Sequence, residues 1–166
     1  MIYRLHGTIQ PYAWGGHDYI PQLLRREPSN LPAAELWFGD HPQAPSQIEA
    51  DGITLPFNDW LQKNLNHALT PASRSRYGDR LPYLLKILDV RLPLSIQVHP
   101  DKTQAEAGYA REEAAGISQG AANRNYPDDN HKPESMIALG DFWLLHGFAP
   151  LEVIEERLAS RPSLAT

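Results

Sequence analysis

No cysteine occurs among the 166 residues. That absence excludes disulfides, thiolate metal sites and a cysteine nucleophile, so any metal must be held by His, carboxylate or amide oxygen. Long apolar runs are missing too. No segment approaches the ~20 consecutive apolar residues of a membrane span, and the opening MIYRLHGTIQPYAWGG has no run long enough for a signal peptide. A cytoplasmic location is the expectation that follows. Nor is one sign of charge in large excess: 15 basic against 20 acidic residues give a net charge of −5. There is no basic stripe of the kind that nucleic acid or an anionic membrane calls for, so neither partner is expected.

What the chain does have is enough apolar material for a core, at 42% hydrophobic residues. Its 15 prolines and 11 glycines are scattered as punctuation, which favours many short elements joined by turns over a helical bundle. Residues 1–50 read as short strands and turns, broken at QPYAWGG and GDHPQAP. In PFNDWLQKNL, Phe57, Trp60, Leu61 and Leu65 fall at helical spacing, which predicts a helical segment near 56–69. LPYLLKILDV suits a buried strand. After it, LSIQVHPDK alternates Leu94, Ile96 and Val98 with Ser95, Gln97 and His99, and in an extended chain rising about 3.3 Å per residue this lines three polar groups on one face.

Thr103 and Glu106 fit a capping box, and Gly116 a stop, so a helix is expected over 103–115, with the run REE at 111–113 on its solvated face. SMIALGDFWLLHGF reads as one or two buried strands. PLEVIEERLA places Leu151, Ile154 and Leu158 on one helical face, closed by Pro162. The architecture expected from this pattern is α+β or mainly β.

Gln97 and His99, two apart on the expected strand, and Glu134 in NHKPE, with His131 beside it, are the candidate metal ligands. Pro133 disfavours helical geometry at Lys132, so two extended segments are available to converge on one ion. A Q-x-H pair alone is more often the wet face of a half-exposed strand; the combination with HKPE carries the argument. Lys86, inside the apolar run LLKIL, either snorkels at a strand edge or serves as a fixed cation for an anionic substrate. Trp14, Trp37 and Phe38 are expected to pack core edges. His6, His17, His41, His67 and His146 show no spacing that singles them out.

YAWG at 12–15, AELWFGDHP at 34–42, LPYLLKIL at 81–88, PLSIQVHPDK at 93–102 and NHKPE at 130–134 occur in the order found in type I mannose-6-phosphate isomerases, and the chain resembles that family across almost its whole length. The resemblance implies a mainly β fold with helical additions, a cupin-type (jelly-roll-like) β-sandwich, of which residues 1–166 would be an N-terminal part. It implies one zinc, with Gln97, His99 and Glu134 matching three of four ligands. Ser95, Lys86, His131 and Lys132 match polar positions of the family's pocket: Ser95, Lys86 and Lys132 for substrate binding, and His131, Lys132 and Lys86 for catalysis.

The implied reaction interconverts mannose 6-phosphate and fructose 6-phosphate, and the partner is a small hexose phosphate. The family's fourth ligand, a histidine, and its active-site arginine have no counterpart here, so a further part of the protein or another chain is expected to complete the site. The chemistry is consistent with the implied ligands: aldose–ketose exchange passes through an enediol, and a cation bearing a neutral Gln and one carboxylate keeps positive charge for the developing oxyanion. A non-catalytic cupin-like module binding a metal or a sugar phosphate is the alternative reading.

Overall fold

The computed structural model describes residues 2–94, 97–145, 147–161 and 163. Ser95, Ile96, His146 and Pro162, all named above, lie outside the described residues. The chain divides into two compact units, 1–97 and 98–166, which are taken one at a time.

The first unit holds two three-stranded antiparallel sheets. One pairs β1 (Arg4–His6), β4 (Gln47–Ala50) and β5 (Ile53–Pro56) in that order; the other pairs β2 (Thr8–Gln10), β3 (Glu35–Phe38) and β6 (Leu85–Leu88). Helix α1 (Tyr19–Leu23) lies between β2 and β3 in sequence, and α2 (Phe57–Lys63), α3 (Leu65–Ala68) and α4 (Pro71–Tyr77) between β5 and β6. The expected helical segment near 56–69 is thus present as α2 and α3. Helix α4 was not anticipated, although its start is marked locally: Pro71 opens it and the Thr70 hydroxyl accepts from the Ser73 N–H at 3.1 Å.

Each sheet closes its own core. Ile48 and Ala50 of β4 pack with Phe57, Trp60, Leu61 and Leu69. The spacing 57, 60, 61 puts three apolar side chains of α2 on one face, which is why this amphipathic turn seats on the sheet. In the second sheet Leu36 stands opposite Ile9 on one side and Ile87 on the other, and this row packs with Ile20 of α1 and with Ala33. Phe38 joins that cluster as expected.

Ser46, fully buried, ties the exit of β3 to the entry of β4: its hydroxyl accepts from Gly39 N–H at 3.0 Å and donates to the Trp37 carbonyl at 3.3 Å. Within YAWG, Gly15 makes an isolated bridge with Val90, and a Cβ there would stand 2.4 Å from Ala34. Only glycine permits that approach.

The second unit contains α5 (Lys102–Ala114) and α6 (Leu151–Ala159). Helix α5 matches the expected 103–115 closely, but its cap is two residues earlier than expected. Asp101 accepts from Gln104 N–H at 2.8 Å, and the Gln104 side chain accepts from Asp101 N–H at 3.0 Å. A carboxylate at the N-cap is a good acceptor for these free amides, and Thr103 consequently falls inside the helix.

Two expected strands do not form among the described residues. Among the described residues, neither 97–100 nor 135–145 is in a strand, and their apolar side chains face outward: Val98 is 82% and Trp143 97% exposed. Apolar alternation gives a segment the capacity to be a strand, but a strand also needs a neighbouring backbone to pair with. Among the described residues, none pairs with these segments.

Leu61 is 0% exposed in the α2 core. Leu61→Ala should therefore cost roughly 2–5 kcal/mol, read from denaturant midpoints at constant slope.

Candidate functional site

Strand β3 is the central strand of its sheet, so its alternation sorts side chains between two faces. Leu36 goes to the core; Glu35 and Trp37 go to the opposite face, and the antiparallel register sets Lys86 beside Trp37. Lys86 Nζ lies 3.2 Å from the Glu35 carboxylate and 4.7 Å from the centre of the Trp37 ring. Trp37 Nε1 donates to the same carboxylate. Lys86 is therefore a paired cation supported by an aromatic face, where the sequence left snorkelling and a fixed cation both open. Trp37 is buried, as expected, yet its indole is committed to charge as well as to packing. Glu35 was not singled out in AELWFGDHP; the usable signal was a carboxylate two residues from a tryptophan on a strand, which places both on one face.

The second unit brings HPDK and DDNHKPE together. His99 Nδ1 donates to the Lys132 carbonyl at 2.9 Å. Lys102 Nζ donates to the Asp129 carbonyl at 2.8 Å and pairs with Glu106, one helical turn on, at 3.2 Å. Because a carbonyl only accepts, the His99 ring must carry its hydrogen on Nδ1, which leaves the Nε2 lone pair bare in the neutral ring. That is the state a metal ligand requires, and a backbone carbonyl behind the ring is the usual orienting partner. His131, Lys132 and Glu134 are exposed on a segment with no helix, as Pro133 dictates.

The same unit also holds a buried charge cluster. Glu112 was expected on a solvated face; it is 5% exposed instead. Its carboxylate accepts from the backbone N–H groups of Asn125 at 3.1 Å and Tyr126 at 2.8 Å. Arg124, 2% exposed at its side chain, donates to the carbonyls of Tyr126 and Ile117 and to Glu113. The return of 117–126 onto α5 buries the middle residue of REE. Gly108 completes the contact, since a Cβ there would stand 2.4 Å from the Tyr126 ring.

The seven expected site residues are distributed as follows. Lys86 and Gln97 belong to the first unit; His99, His131, Lys132 and Glu134 belong to the second; Ser95 is outside the described residues. Among the described residues no three His, Asp or Glu side chains gather as a metal cluster. The expected donor set contains only two such residues, His99 and Glu134, with the Gln97 amide as the third. No helix among the described residues is long and apolar enough to cross a membrane.

A model of the catalytic domain of type I phosphomannose isomerase matches residues 2–151. The mannose-6-phosphate isomerase of Salmonella typhimurium is 44% identical over 147 residues, which are 87% of this chain and 37% of that protein. That of Emericella nidulans is 47% identical over 164 residues, 92% of this chain and 32% of that protein. A solved structure of the Salmonella typhimurium isomerase, bound to its substrate fructose 6-phosphate and zinc, superposes with a TM-score of 0.71 at 44% identity, covering 78% of this chain and 33% of that one. The chain thus spans about a third of the length of the curated relatives it matches.

Two measurements test the geometry. Burial pushes the pKa of Glu112 up, but hydrogen bonds from Tyr126 and Asn125 and the charge of Arg124 outweigh it and hold the carboxyl below the ordinary glutamate value of 4.5. The stability it contributes is complete above about pH 4.5 and lost as pH falls through the lower folded value. Acid unfolding should be less steep in Glu112→Gln than in the parent. For His99, long-range 1H–15N NMR of the metal-free protein should show a protonated Nδ1; a bare Nδ1 would refute the assigned tautomer.

Proposed function

The chain belongs to the type I phosphomannose isomerase family, and on that premise we propose that it serves the zinc-dependent interconversion of mannose 6-phosphate and fructose 6-phosphate. The observation that carries the metal reading is the hydrogen bond from His99 Nδ1 to the Lys132 carbonyl, which frees Nε2 on a ring already held in place. The amide oxygen of Gln97, Nε2 of His99 and the carboxylate of Glu134 would hold the zinc. When bound, zinc supplies positive charge for the oxyanion that develops in aldose–ketose exchange, and the neutral Gln97 leaves more of that charge available than a second carboxylate would.

The chain's own residues supply the rest. Lys86, Ser95 and Lys132 bind the sugar phosphate, whose negative charge needs local cations in a protein of net charge −5. His131 or Lys132 moves the proton between the carbons, acting as acid or base within reach of the substrate. The fold this reading implies is a cupin-type sandwich to which the two small sheets contribute, and a soluble hexose phosphate as substrate fits a cytoplasmic site of action.

Zinc content and mannose 6-phosphate turnover, measured together on the complete protein, test this reading. Chelation should abolish turnover and added zinc restore it. Gln97→Ala, His99→Ala and Glu134→Ala should each weaken zinc binding by more than about 100-fold, beyond the roughly 10- to 100-fold that the loss of an outer partner costs. Zinc bound stoichiometrically without turnover would instead establish a metal-binding module.

A further inference from the structure

The face of the β2-β3-β6 sheet turned away from Leu36 carries groups that the proposed function does not use. Glu35 is 8% exposed on the central strand. Stability alone does not call for a carboxylate there, because a buried ion pair is commonly no better than an apolar residue of similar size. What the arrangement does achieve is to restrain a flexible cation. The Lys86 ammonium is fixed from one side by Glu35 at 3.2 Å and from another by the Trp37 ring at 4.7 Å. Glu35 is itself fixed, since Trp37 Nε1 donates to it. An ammonium has three N–H donors. One serves Glu35, and the partly exposed Lys86 has others left for a ligand oxygen. Tyr12 lies in the same field: burial, and after it the charge of Glu35, push its phenol pKa up.

We infer that Glu35 is a positioning residue, which acts with Trp37 to hold the Lys86 ammonium at one point on the sheet face and so present it to an anionic oxygen of the substrate. The inference rests on the reading that Lys86 serves the sugar-phosphate site. Glu35 touches no substrate and acts only through Lys86.

The test is a double-mutant cycle in the complete protein, with steady-state kinetics on mannose 6-phosphate for Glu35→Gln, Lys86→Met and the two combined. Glu35→Gln keeps the size of the side chain and an acceptor for Trp37 Nε1 while removing the charge. Glu35→Gln should lower kcat/KM about 10- to 100-fold, as losing a hydrogen bond to a charged group does, through the same parameter, kcat or KM, that Lys86→Met affects. The double variant should be no worse than Lys86→Met alone, because a residue acting through Lys86 has nothing left to position.

Losses that multiply in the double variant would make Glu35 an independent structural residue and overturn the inference, as would full activity in Glu35→Gln beside an impaired Lys86→Met. Full activity in Lys86→Met would overturn the underlying reading of Lys86 instead. Thermal midpoints are measured on every variant, and Lys86→Arg, which keeps a cation for Glu35, closes the cycle if Lys86→Met does not fold.

Discussion

A strand paired on both edges has two faces and no rim, so any charge it carries must find its partners on one of those faces. That constraint governs β3. Its alternation sends Leu36 into a row with Ile9 and Ile87 against α1, and it commits Glu35 and Trp37 to the opposite face, where the register of β6 delivers Lys86. The core and the charged group are consequences of one pairing. A slip of a single residue would exchange the faces, burying a carboxylate among Ile9, Ile20 and Ile87 and turning Leu36 outward. The tie made by Ser46 and the close approach at Gly15 guard that register from either end.

The second unit is organised differently. Among its described residues no strand forms, and what shapes it is a set of polar contacts radiating from α5. Asp101 starts the helix, Lys102 reaches across to Asp129, and Glu112 gathers the backbone of Asn125 and Tyr126. These are charge-assisted bonds, which are directional and stronger than neutral ones. They fix where a loop runs without requiring it to bury apolar surface. The polypeptide that carries His131, Lys132 and Glu134 is therefore led past His99 by electrostatics rather than by a core.

Much of this was legible beforehand where the signal is local. The spacing of Phe57, Trp60 and Leu61 contained α2, the apolar run around Lys86 contained β6, and the breakers around residue 116 bounded α5. The motifs QVH and HKPE also pointed to two segments, and the structure joins His99 to Lys132. What was hidden depended on partners distant in sequence. Glu112 looks like any solvated helix residue until Asn125 and Tyr126 fold back on it, and Glu35 looks like a surface carboxylate until Lys86 arrives from a strand fifty residues later. The misread strands have the same origin: the alternation around Val98 and the apolar run through Trp143 record what those segments are able to bury, while the pairing itself depends on other residues.

The contact between His99 and residue 132 has a consequence of a separate kind. The group that orients the imidazole is a main-chain oxygen, which every amino acid possesses, and Pro133 restrains the same backbone from the next position. Orientation of the ring is thereby uncoupled from the identity of the side chain at 132. A side chain of another length or charge at 132 leaves that carbonyl in place, and with it the tautomer and the aim of the ring.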